Sequence, residues 1–276
     1  VEHPIRGIIR PPGYKSITNR ALILAALANG PVTLTGVLDS QDTKVMVESL
    51  RRLGFHVQQD RDLCVCEVHG LAGRIPATSA DLWLENSGTS IRFLAGLCAL
   101  GTGRYRLDGS ARMRQRPIGD LVRALRPLGA VLTCEAADSD CPPLVVDGQQ
   151  GHMRGGNTTI AGSISSQFLS SLLMCAPACE APVHIHVTGE LVSQPYVHMT
   201  LQMIRDFGGR IDAPEDLSHF QTYPGPYSAR VYDIEPDASA ASYFFAAAAV
   251  TAGQVTVRGL HASSLQGDVQ FATALQ

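Results

Sequence analysis

Several short groups of side chains in this 276-residue sequence have the types and spacing to gather anions. Lys15, Ser16 and Arg20 follow the breaker run Pro11-Pro12-Gly13 and open a stretch with a helical period, apolar at 17, 21, 24, 25 and 28. Ser16 or Thr18 is the expected N-cap of that helix. Lys15 and Arg20 oppose the macrodipole, which favours acids at a helix start, so they call for an anionic partner. Taken alone, the stretch reads equally well as a core helix with two solvated charges.

Further groups have the same character. Asn86, Gly88, Thr89 and Arg92 sit at a strand-to-helix turn, where Gly88 lets a ligand approach the backbone. Arg112, Arg114 and Arg116 alternate in a loop, where they repel one another unless anions intervene, and arginine grips carboxylate or phosphate with two prongs. A solvated basic loop is the plainer reading of that segment. Ser163, Ser165, Ser166 and Gln167 crowd a helix start that needs only one cap. Ser193 and Tyr196 could hydrogen-bond a polyol or, more plainly, cap the helix that begins near Pro195. His184 with His186 and Cys64 with Cys66 each share a strand face without a third partner at metal spacing, so both pairs read as packing. No Gly-x-Gly-x-x-Gly or Walker motif is present.

The elements that must position these groups repeat along the chain. Small polar residues open an apolar helix at Ser16, Asn86, Ser163 and Asp237, and a β-branched strand follows each time. A second helix then closes on Gly54, Gly129 or Gly208, the usual C-terminal cap. Two short strands come next, such as 55–59 with 63–68 and 130–134 with 144–146. With a strand before the first helix, as at 81–84, each unit is βαβαββ. Three units are complete, and a fourth is begun by the helix at 239–250, a strand and part of a second helix at 267–276. The expected fold is α/β, with three units around a pseudo-threefold axis forming one domain over 14–236. Residues 1–13 and 237–276 are expected to belong to a second, incomplete domain. Equivalent units would turn three helix N-termini, at 15–20, 86–92 and 163–167, toward one face. The sequence stops where the pattern asks for another Leu-Gly and two strands, so a fragment of a longer chain is expected.

Bulk properties exclude other classes. A 45% hydrophobic content supports a sizeable core, while a net charge of −3 offers no global field for nucleic acid or membrane. The seven cysteines, odd in number and mostly in apolar runs, point to reduced thiols in the cytoplasm.

Together these groups resemble the 5-enolpyruvylshikimate-3-phosphate synthase family of enolpyruvyl transferases. The resemblance rests on Pro12-Gly-Tyr-Lys-Ser-Ile-Thr-Asn-Arg-Ala, Asn86-Ser-Gly-Thr-Ser-Ile-Arg, Arg112-Met-Arg-Gln-Arg-Pro-Ile-Gly and Ser163-Ile-Ser-Ser-Gln-Phe-Leu. It continues through Gly189-Glu-Leu-Val-Ser-Gln-Pro-Tyr, Asp237-Ala-Ser-Ala-Ala-Ser-Tyr-Phe and Gln266-Gly-Asp, and so covers essentially the whole chain in order. It implies six βαβαββ units in two domains across a cleft, of which roughly two and a half are missing here. It further implies transfer of the enolpyruvyl group from phosphoenolpyruvate to the 5-hydroxyl of shikimate-3-phosphate, releasing phosphate. No metal or cofactor is implied, and the full-length enzyme is expected to be a cytoplasmic monomer and a glyphosate target.

The resemblance also implies roles for single residues. Lys15 lies between the two substrates and, with Arg116 and Gln167, is the expected catalytic set. Shikimate-3-phosphate falls to Lys15, Ser16, Arg20 (near its carboxylate), Ser165, Ser166, Ser193, Tyr196 and Gln167. Phosphoenolpyruvate falls to Lys15, Asn86, Gly88, Thr89, Arg116 and Gln167. Tyr14, Glu85 and Phe93 depart from the family pattern, which often has Asp or Ser, Gly and Pro there. The family's proton-moving carboxylates lie beyond Gln276, so the chain alone is expected to be nearly inactive. A UDP-N-acetylglucosamine enolpyruvyl transferase would need a reactive cysteine near residue 112, and the loop has none. A non-catalytic substrate-binding fragment is the alternative of another class.

Overall fold

The computed structural model describes residues 3–136, 139–228 and 230–275. The chain opens with β1 (Arg6–Ile9), then α1 (Lys15–Leu27), β2 (Asn29–Thr35), α2 (Gln41–Arg52), β3 (Val57–Asp60) and β4 (Val65–Leu71). A second run follows: β5 (Ser79–Trp83), α3 (Gly88–Cys98), β6 (Arg104–Asp108), α4 (Gly119–Leu125), β7 (Leu132–Cys134) and β8 (Leu144–Asp147). The third is β9 (Gly156–Ala161), α5 (Ser166–Cys175), β10 (Val183–Thr188), α6 (Gln194–Asp206), β11 (Arg210–Asp212) and β12 (His219–Tyr223). Then come β13 (Val231–Asp233), α7 (Ala238–Val250), β14 (Gln254–Val257) and the short α8 (Phe271–Ala274).

Each run builds one four-stranded sheet in a single order. The second gives β5-β6-β8-β7 and the third β9-β10-β12-β11, two parallel strands followed by an antiparallel return. These are the expected βαβαββ units, with one rearrangement. The first run has no opening strand of its own, and its place is taken by β13, parallel to β2. The segment before α1 goes elsewhere: β1 pairs in parallel with β14, Arg6 opposite Gln254. Entry and exit of the three-unit body lie side by side, since Gly13 bridges Pro236 and Tyr14 N–H donates to the Glu235 carbonyl (2.8 Å).

The helices pack inside and the sheets outside. Burial along β10 alternates strictly, one face on the helices and the other in solvent. Every residue of α1 from Ile17 to Leu27 is buried, because α2, α3, α5 and α6 surround it. Gly54, Gly129 and Gly208 have φ of +91, +105 and +82°, the left-handed cap their place after a helix requires. On α7 only Ala238 and Ala241 are buried, while Tyr243, Phe244 and Val250 are exposed. Cys66 is buried in β4, but Cys64 is an exposed turn residue with φ +54° and not a strand partner of Cys66. Among the described residues no helix is long and apolar enough to cross a membrane.

Candidate functional site

Helix starts from all three units meet at one concavity of about 440 Å³. Lys15, Ser16 and Arg20 reach it from α1, Thr89 from α3, Ser165, Ser166 and Gln167 from the start of α5, and Ser193 and Tyr196 from the start of α6. Tyr14 and Asp237, from the two crossing segments, complete the polar wall. Asn86, Gly88 and Arg116 are not part of this wall and form a second group beside it.

The helix starts differ in how they are capped. Helix α1 begins at Lys15 with Tyr14 in the cap position, where its side chain makes no capping bond. Ser16 and Thr18 both lie inside the helix, so neither is the expected cap; Thr18 Oγ1 donates back to the Tyr14 carbonyl (3.0 Å). In α5, Ser165 Oγ is the cap and accepts from Gln167 N–H (3.3 Å), which releases Ser166. Ser193 enters α6 with φ +57° and no cap bond, a left-handed geometry that costs a non-glycine residue about 1 kcal/mol. The hydroxyls of Ser166 and Ser193 have no partner among the described residues, and both line the concavity.

Arg20 is the most informative side chain. It lies one turn beyond Lys15 and is only 2% exposed. Its guanidinium donates to Thr200 Oγ1 (2.8 Å), Ser170 Oγ (3.0 Å), and the Ser16 and Tyr196 carbonyls (3.0 and 3.4 Å). All of these acceptors are neutral, and burial pushes its pKa down to about 10. The Phe93 ring lies 5.2 Å from Cζ and offers its face to the charge. A buried cation with no carboxylate among the described residues, at the wall of a polar concavity, suits an anion. Lys15 differs, because its Nζ already pairs with Asp42 Oδ2 at 3.1 Å.

Behind the wall, Arg92 Nη1 donates to Gln167 Oε1 (2.8 Å) and to the Gly88 carbonyl (3.1 Å). A guanidinium can only donate, so it fixes the Gln167 amide with Nε2 toward Thr89 Oγ1 (3.1 Å). Arg92 is itself 9% exposed and lies over the Phe168 ring at 5.1 Å. Burial, and then the nearby Arg116 charge, lowers its pKa to about 10. The sequence groups Arg92 with anion ligands; the structure makes it the support of Gln167.

The three loop arginines do not act as one clamp. Arg114 is engaged by Asp108 (2.6 and 2.9 Å) and Arg112 by Gln115 Oε1 (3.1 Å). Arg116 Nη1 donates to the Asn86 carbonyl (2.9 Å), which stacks its guanidinium on Gly88. A Cβ at Gly88 would collide with that guanidinium. Gly88→Ala is expected to displace Arg116 and weaken an anion bound on the α3 side by about ten-fold. Titration with phosphoenolpyruvate measures it, and unchanged affinity would remove Gly88 and Arg116 from the site.

Three features escape sequence reading. Tyr14, one of the departures from the family pattern, places its hydroxyl 3.2 Å from that of Tyr196. Glu85, where glycine is frequent in the family, adopts φ +51°, a conformation that glycine enters without strain. His219 lies opposite His186 across β10 and β12, yet among the described residues no three such groups are arranged to hold a metal.

The family model described as EPSP synthase (3-phosphoshikimate 1-carboxyvinyltransferase) matches residues 1–276. A protein of Shewanella sp. (strain W3-18-1) named 3-phosphoshikimate 1-carboxyvinyltransferase is 46% identical over 275 residues, 99% of this chain and 64% of that relative. One of the same name from Serratia proteamaculans (strain 568) is 44% identical over 277 residues, covering 99% of this chain and 63% of its own length. A solved EPSP synthase from Acinetobacter baumannii superposes with a TM-score of 0.83 at 21% identity, over 95% of this chain and 57% of that one; this likeness speaks to the fold. The chain spans about 64% of the length of the Shewanella relative.

Proposed function

This chain belongs to the EPSP synthase family, and from that premise we propose that it carries the anion-binding half of an enolpyruvyl transfer site. The observation that carries the reading is Arg20: a buried guanidinium with neutral partners, beside the hydroxyls of Ser166 and Ser193, which have no partner among the described residues. In this reading shikimate-3-phosphate occupies the concavity. Its phosphate meets Ser165, Ser166 and Ser193, its carboxylate meets Ser16 and Arg20, and Tyr196 and Gln167 flank the ring. Phosphoenolpyruvate lies toward Asn86, Gly88, Thr89 and Arg116, with Lys15 and Gln167 between the two.

The reaction moves the enolpyruvyl group to the 5-hydroxyl and releases phosphate. Phosphoenolpyruvate is protonated at its methylene carbon, the hydroxyl adds to the neighbouring carbon, and the tetrahedral adduct expels phosphate. Two polyanions must be held together, so cationic clamping and proximity supply much of the acceleration. Asp237 lines the concavity and accepts from Ala240 N–H (3.0 Å), and Asp42 is paired with Lys15. Both carboxylates already hold structural partners and neither is assigned a proton-moving role in this reading, which for the chain alone is binding with little turnover. The same reading takes 14–236 as one domain and 1–13 with 237–276 as part of a second, supported by the pairing of β1 with β14. The seven free cysteines support a cytoplasmic setting.

The test is calorimetric titration of the chain with shikimate-3-phosphate, inorganic phosphate and UDP-N-acetylglucosamine. Saturable one-to-one binding of the first, weakened by salt and by Ser166→Ala, is expected. Binding of the nucleotide sugar instead, or of none of the three, would refute the assignment.

A further inference from the structure

We propose that Asp108 is a positioning residue for the phosphoenolpyruvate side of the site, holding in place the loop that presents Arg116. The phosphoenolpyruvate role of Arg116 rests on the function proposed above; the positioning claim does not. Asp108 is the last residue of β6 and is 2% exposed. It accepts from Arg114 Nε and Nη2 (2.9 and 2.6 Å) and from Gly109 N–H (2.7 Å), and it forms an ion pair with Arg106 Nη2 (3.0 Å). Arg106 in turn grips Glu135 with two bonds (2.6 and 2.9 Å). The result is an alternating chain of charge, Glu135–Arg106–Asp108–Arg114, running from the sheet into the loop.

That loop returns within a few residues to the site. Ser110 N–H donates to the Glu85 carbonyl (2.8 Å), Arg116 N–H donates to the Met113 carbonyl (3.0 Å), and the Arg116 guanidinium ends on the Asn86 carbonyl. Asp108 does not line the concavity, so any influence it has on a ligand must pass through the loop. Burial alone would push its carboxyl pKa up, but the Arg114 bonds, the Gly109 N–H and the Arg106 charge outweigh it and hold the group ionised. A two-pronged guanidinium–carboxylate contact with a buried acceptor constrains geometry more than an exposed pair does. Asp108→Asn keeps the shape, removes the charge, and leaves Arg106 and Arg114 facing each other as like charges.

Two measurements on the whole chain test this. In the first, arginine modification by phenylglyoxal is followed residue by residue with mass spectrometry. Arg116 is expected to react at least about five-fold faster in Asp108→Asn than in the parent, while Arg123 keeps its rate, because Arg116 loses its hold on Asn86. Equal Arg116 rates in the two proteins would overturn the proposal, whatever the ligand of the site is. In the second, Asp108→Asn is expected to weaken phosphoenolpyruvate about ten-fold and leave shikimate-3-phosphate affinity unchanged. In an Arg116→Met background the same substitution should add nothing to the loss. Additive losses would mean that Asp108 acts on the site by another route, and would also overturn the proposal. Faster Arg116 modification with no phosphoenolpyruvate binding by the parent would instead count against the function assigned to the site and leave the positioning role standing.

Discussion

Arg20→Met is expected to abolish measurable shikimate-3-phosphate binding while leaving the protein as stable as before. The two halves have one cause. Methionine nearly matches the volume of the arginine stem and carries no charge, so the desolvation burden of a buried guanidinium disappears along with its bonds. Ser170 Oγ and Thr200 Oγ1 already lie 2.9 Å apart and can satisfy one another once the guanidinium is gone. Stability should therefore stay within about 1 kcal/mol of the parent. Affinity should fall on the order of 100- to 1000-fold, because the anion loses a charge-assisted contact with a buried guanidinium. Calorimetry with a parallel thermal melt checks both. A large loss of stability with binding retained would make Arg20 a structural residue and sink the site assignment.

Phe168→Ala is expected to have the largest effect on stability. The ring is 1% exposed at the start of α5 and supports Arg92 from below. Removing it leaves a cavity worth about 3–5 kcal/mol, a fall in Tm on the order of 10 °C for a chain of this size. Arg92 would lose its platform and Gln167 its fixed amide, so binding should weaken even where the protein remains folded. Phe168→Leu should recover most of the stability but not the face that the aromatic ring offers to the cation. An unchanged melt for Phe168→Ala would show that the core closes over the gap.

How much of this was legible in the sequence depends on the range of each interaction. The helices were, because their apolar period and closing glycines are local: Gly54, Gly129 and Gly208 mark helix ends whatever lies around them. So were the polar helix starts that converge, since equivalent units place equivalent residues alike. Pairings across units were not. Nothing near Lys15 announces Asp42 on α2, and nothing near Arg114 indicates that it turns back to Asp108 while Arg116 turns forward to Asn86. Like charges at alternate positions suggested a shared ligand, but the structure separates them by giving each a different internal partner: Gln115, Asp108 and the Asn86 carbonyl. The capping of α1 failed for a related reason. Ser16 and Thr18 are good cap residues, but the bridge between Gly13 and Pro236 and the Tyr14–Glu235 bond set where the chain enters, and the helix starts before either can cap it.

The origin of β13 bears on the order in which the molecule is made. During synthesis, β2, β3 and β4 emerge early, while the three residues that complete their sheet emerge only after the second and third units. Until then the free side of β2 presents unpaired backbone groups, an open edge of the kind that recruits other chains. The nascent protein thus carries an exposed strand while the whole of the second and third units is made, and closing the earliest sheet is the last pairing of the three-unit body. Folding is tied to a contact between distant parts of the sequence, which slows it and lengthens the time during which that edge needs shielding.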